Sequence, residues 1–196
     1  MLQSSTQRSC VLIALALLMA LTRTHCFCLL PDASWAVFFL GGFWLQSWRR
    51  WAFPLLILEA GLIDLVVITR YTQGLWNHAC ISPAYGFLVV AYGALWLGGC
   101  WLARHATGLN MPTLGRTIFA LLTSEASCYL VSNGSFYWIG KQVSVPRSFY
   151  VWLMNLTHWY LPFLGTTVLY VSLALLGALL GTHLSGTPAS RHAVRQ

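Results

Sequence analysis

One polar segment holds the residues best equipped for chemistry. It runs from Arg70 to Pro83 and reads Arg-Tyr-Thr-Gln-Gly-Leu-Trp-Asn-His-Ala-Cys-Ile-Ser-Pro. Cys80 lies near its end, two residues after His78 and three after Asn77. A thiolate is a nucleophile or a soft metal ligand. Zinc takes three or four protein ligands, so one Cys and one His in a loop do not make a zinc site. A single cysteine ligand suits a metal that arrives already held by an organic ring.

The other cysteines divide into two groups. Cys10, Cys100 and Cys128 sit inside apolar runs and read as small hydrophobes. Cys26 and Cys28 sit in a polar stretch and are too close in sequence for an easy mutual bridge. Either is a disulfide candidate for Cys80 if that face is oxidising. Three acids, Glu59, Asp64 and Glu125, fall within apolar runs. Acids there are costly and face a cavity or a partner. Glu59 and Asp64 are five apart and share a helix face poorly. Asp64 is nearer the polar 70–83 segment, which favours it as a site residue.

The elements that carry these residues are apolar. The chain has 196 residues, 58% hydrophobic and 8% charged, with 10 Trp, 10 Phe and 8 Tyr. A soluble domain averages about 25% charged residues, so this is one polytopic membrane domain of all-α class. The net charge of +7 is scattered singly or in pairs. It reads as flanking charge that orients spans, not as a nucleic-acid surface. No Walker, HExxH, GxSxG or GxGxxG motif is present.

A span needs about 20 apolar residues. Six are expected, at about 8–28, 33–48, 51–69, 84–102, 114–132 and 161–182. Asn133-Gly134 reads as the start of an aromatic loop. The apolar run from Ser148 to Thr182 is too long for one span, and Pro162 divides it. Residues 148–160 then form an interfacial or re-entrant helix, and 183–196 a polar tail. Arg8, Arg49, Arg50, Arg104, Arg116, Arg191 and Arg195 fall on one side, against Arg23, Arg70, Lys141 and Arg147 on the other. Both termini are therefore expected in the cytoplasm. The 23–32, 70–83 and 133–160 segments then share the outer face. Trp76, Tyr85, Tyr137, Trp138, Tyr150, Trp152, Trp159 and Tyr160 crowd it, as a large flat ligand would require. Arg147 and His158 in the same region are candidates to meet amides or a phosphate.

Six spans in about 200 residues resemble the substrate-binding S-components of energy-coupling-factor (ECF) vitamin transporters. The resemblance runs through Pro31–Leu45 with Gly41-Gly42, Phe53–Asp64, Ile81–Gly99 and Leu121–Trp138. Within that superfamily, Asn77-His78-Ala79-Cys80-Ile81-Ser82-Pro83-Ala84-Tyr85 is similar to the BtuM-type cobalamin transporters, which are solitary S-components of Gram-negative bacteria. The resemblance implies a multi-pass protein of the bacterial inner membrane that takes up cobalamin (vitamin B12). It implies that Cys80 binds the cobalt, with Tyr85 nearby, and that cyanide is removed from cyanocobalamin through the same cysteine. It also implies a toppling release driven by an ECF-type ATPase module docked on small residues of span one, where Ala16 and Ala20 lie.

Competing readings remain at this point. An S-component for another vitamin would leave Cys80 dispensable. A membrane thiol oxidoreductase would use Cys26, Cys28 and Cys80 with a quinone, although the spacing is Cys-x-Cys rather than Cys-x-x-Cys. A structural subunit without ligand would leave the outer aromatic cluster without purpose.

Overall fold

The computed structural model describes residues 4–24, 31–71, 83–108, 110–140 and 146–185. Among the described residues six α-helices follow one another: α1 (Ser5–Arg23), α2 (Ser34–Trp44), α3 (Arg49–Tyr71), α4 (Phe87–His105), α5 (Met111–Ile139) and α6 (Phe149–Ser185). No strand occurs among the described residues. Among the described residues, four stretches are long and apolar enough to cross a membrane: Ser5–Arg23, Gln46–Thr69, Pro83–His105 and Phe149–Gly181.

Local chemistry sets several ends. Ser4 caps α1 by accepting from the Gln7 amide at 3.1 Å, while the Gln7 side chain accepts from the Ser4 amide at 3.3 Å. This reciprocal pair satisfies two amides left open at a helix start. Asn110 caps α5 in the same sense, accepting from the Thr113 amide at 2.9 Å. Arg116 of α5 donates to the His105 carbonyl at 2.6 Å, which ties the start of α5 to the end of α4.

The interior is built around α2. This helix has 11 residues, and Ser34 and Ala36 through Gly42 are all buried. At about 1.5 Å per residue it is about 16 Å long, roughly half the hydrocarbon core. The expected span at 33–48 is thus corrected to a short central helix followed by a 3-10 turn over Gln46–Trp48. Glycine makes its burial possible. A Cβ on Gly42 would fall 2.1 Å from the Trp96 carbonyl oxygen, and one on Gly99 would fall 2.0 Å from the Phe39 carbonyl oxygen. The backbones of α2 and α4 touch there, the close approach that small residues allow between apolar helices. Phe38 fills the space alongside. It stacks on Tyr92 at 4.3 Å and meets Phe53 edge-on at 5.8 Å.

Two other expectations are revised. Asn133-Gly134 does not open a loop, because α5 continues to Ile139. The Asn133 side chain accepts from the Trp152 indole at 3.0 Å, which holds the pair inside the α5–α6 contact. Pro162 does not divide the last apolar run either. Phe149–Ser185 form one 37-residue helix. Proline removes a single amide donor, and helices in apolar surroundings tolerate that loss where neighbours re-satisfy the backbone. The acceptor that Pro162 leaves open is the His158 carbonyl. Thr166, donating to the Pro162 carbonyl at 3.0 Å, and Tyr129, donating to the Leu156 carbonyl at 3.1 Å, bind other carbonyls around the proline. The 148–160 segment is therefore the first part of α6.

The α2–α4 contact makes a prediction. Gly99→Ala forces two backbones apart and costs about 3 kcal/mol or more, at the upper end of overpacking. Gly177→Ala, whose Cβ meets nothing within 4 Å, leaves stability nearly unchanged. Thermal unfolding of both variants in detergent reads the difference. Equal midpoints would show that the contact is not tight.

Candidate functional site

The polar residues of the interior converge at one end of the helices. Arg23 is the last residue of α1, where a cation also meets the negative end of the helix dipole. Its guanidinium holds Asp64 of α3 in a bidentate grip: Nε donates to Oδ1 at 2.5 Å and Nη2 to Oδ2 at 2.6 Å. Nη1 donates to the Ser34 hydroxyl at 2.8 Å and to the Tyr92 hydroxyl at 3.1 Å. Asp32 stands 3.5 Å from the same nitrogen. One side chain thus joins α1, α2, α3 and α4.

The partners are themselves fixed. Asp32 Oδ1 accepts from the Ser34 amide at 2.9 Å and from its hydroxyl at 2.6 Å. Tyr85, in the 3-10 turn Pro83–Gly86, donates its hydroxyl to Asp64 Oδ2. The Ala33 amide donates to Thr22 at 3.1 Å, and Tyr170 of α6 donates to the Pro31 carbonyl at 2.8 Å. The start of α2 is therefore pinned from both α1 and α6. Among the described residues, one cation faces two carboxylates here. The Arg23 side chain is 10% exposed, whereas that of Asp32 is 38% exposed and looks outward. This end carries a fixed, partly open anionic rim over a neutralised pair.

The expected site residues divide three ways. Asp64 and Tyr85 are brought into direct contact, from elements on either side of the 72–82 stretch. Asn77, His78 and Cys80 lie outside the described residues, as do Cys26 and Cys28. Arg147, Tyr150 and His158 make no contact with the cluster among the described residues. Arg147 caps α5, donating to the Tyr137 carbonyl at 3.1 Å and the Gly140 carbonyl at 2.8 Å. Two of its three guanidinium nitrogens thus donate to backbone. Tyr150 is exposed at the start of α6. His158 is exposed and meets Trp159 edge-on. Cys100 and Cys128 are buried free thiols, as expected of small hydrophobes, and Cys100 donates to the Gly42 carbonyl at 3.2 Å.

Arg23 is the residue that sequence reasoning missed, having been counted only as a flanking charge. The signal was present. An acid inside an apolar helix needs a partner, and Arg23 and Asp64 both lie toward the outer side by the charge count. The aromatic crowding has a local explanation too. Trp138, Phe149 and Trp152 pack on one another where α5 meets α6, with centroids 5.5–6.2 Å apart.

No protein-family model matches the chain, and no curated protein is significantly similar to it.

The ion pair predicts a mutational pattern. Arg23→Met alone strands the desolvated Asp64 carboxylate and costs about 3–5 kcal/mol, whereas Asp64→Leu leaves Arg23 with Asp32 at 3.5 Å and costs less. The double variant Arg23→Met with Asp64→Leu recovers a large part of that loss, because neither charge remains. Thermal unfolding of the two singles and the double forms the cycle. Strictly additive losses would show that the pair is not coupled.

Proposed function

We propose that this chain is an uptake protein for cobalamin in a bacterial inner membrane, built as a six-helix S-component with both termini cytoplasmic. The Arg23–Asp64 end then faces outward and receives the corrinoid. The observation that supports this reading is the Asp64–Tyr85 contact on the Arg23 grip. It ties down both ends of the segment that holds Asn77-His78-Ala79-Cys80. A segment anchored on both sides can offer its cysteine to a large ligand without the helices rearranging.

The chemistry follows from the substrate. A corrinoid brings cobalt already bound by four ring nitrogens and leaves two axial positions. The Cys80 thiolate donates its electron pair to cobalt and displaces the lower nucleotide base. Its donation weakens the opposite bond to cyanide. Cyanide then leaves with its own electron pair, so the step needs no reductant. Asn77 and His78, next to Cys80 in sequence, would meet the amide side chains of the ring. The partly open Asp32 carboxylate accepts from amide N–H groups at the rim. Release inward is by toppling, with Ala16 and Ala20 of α1 as the docking place of an ECF-type ATPase module. An S-component for a different vitamin is the runner-up, and it would leave Cys80 without a role.

The test is a visible spectrum. The protein is purified in detergent with cyanocobalamin, beside a Cys80→Ala variant. A corrinoid retained by wild type with shifted bands, and unshifted in the variant, is the expected result. Retention without a shift in either protein would remove the thiolate step. No retained corrinoid in either would overturn the reading.

A further inference from the structure

Glu125 is fully buried, at 0% exposure, and neither carboxyl oxygen has a hydrogen-bond partner. It lies in the middle of α5, one turn before Cys128, which interacts both with it and with Tyr92 of the Arg23 cluster. Thr167 of α6 stands close enough to interact with it, but short of hydrogen-bond geometry. The Thr167 hydroxyl also gives its one proton to the Phe163 carbonyl at 3.0 Å. With that proton on Phe163, Glu125 is left without a donor from Thr167. The titratable groups facing this acid are the Cys128 thiol on its own helix and the Tyr160 hydroxyl on α6. No cation among the described residues pairs with it.

A carboxylate in such a place has lost its hydration and gained nothing in return. The neutral acid avoids that penalty, and its O–H can donate to a neighbouring hydroxyl oxygen. We propose that Glu125 is a proton-binding site between α5 and α6, holding its proton while the helices are packed and releasing it when α6 moves away. α6 is the element that closes one side of Glu125, through Thr167 and Tyr160. Of its described side chains, only Thr167, Tyr170 and Val171 are buried. Separation of α6 admits water, and a hydrated carboxyl ionises at neutral pH. Proton occupancy is then coupled to the position of one helix. This inference does not depend on what the chain carries.

The test compares the full-length protein with Glu125→Gln, which keeps the volume and the neutrality. If the packed state binds a proton that the unfolded chain releases, stability is full at low pH and falls as pH rises. Wild type should lose unfolding temperature across the neutral range relative to Glu125→Gln, with a difference of one bound proton. An infrared difference spectrum of the two at neutral pH should show a protonated carboxylic band in wild type alone. Parallel pH curves, or no such band, would overturn the proposal. A rise in wild-type stability with sodium but not with choline, absent in the variant, would also overturn it in favour of a metal cation. The infrared readout holds even where the variant changes stability for other reasons.

Discussion

A guanidinium at the end of an apolar helix has few ways to remain charged. Arg23 is nine-tenths covered and is held by two carboxylates, a serine and a tyrosine. Arginine suits this place because its planar fork meets a carboxylate with two parallel bonds. Burial of such a pair does not by itself add stability. Its effect is positional, since the grip on Asp64 sets the rotation of α3 and the bond to Ser34 sets the start of α2. Tyr85 then follows, because its hydroxyl has Asp64 as its acceptor.

That grip would be ineffective if α2 were not central. Apolar helices in lipid gain little from burying more apolar surface, and close packing must hold them instead. Gly42 and Gly99 let α2 and α4 meet backbone to backbone. Phe38, stacked on Tyr92, carries that packing up to the polar end. Tyr92 belongs to both systems, as it packs against Phe38 and accepts from Arg23. The helix core and the charged end are thus one construction. Glu125 sits beside both, one turn from the core residue Cys128, and faces α6.

Much of this was legible from residue types. Composition identified an all-helical membrane protein, and the position of Asp64 next to the 70–83 segment marked it for the site. Its contact with Tyr85 joins two residues chosen on separate grounds. Arg23 was hidden because a single positive at a span end usually serves orientation. The brevity of α2 was hidden because a buried helix and a membrane span are both continuously apolar. Asn133-Gly134 carries a turn signal, yet the indole of Trp152, a residue distant in sequence, takes up the asparagine and lets the helix continue. The roles of Arg147 and Pro162 were likewise decided by backbone acceptors and neighbours that no local pattern displays.

The central claim is that the end organised by Arg23 and Asp64 presents Cys80 to the cobalt of a corrinoid. X-ray absorption at the cobalt edge of the purified protein–cobalamin complex tests it most directly, because it counts the atoms bound to the metal. The account predicts one sulfur neighbour beside the ring nitrogens, lost in Cys80→Ala. A cobalt shell of nitrogen, carbon and oxygen alone, or no cobalt carried with the protein, would contradict it.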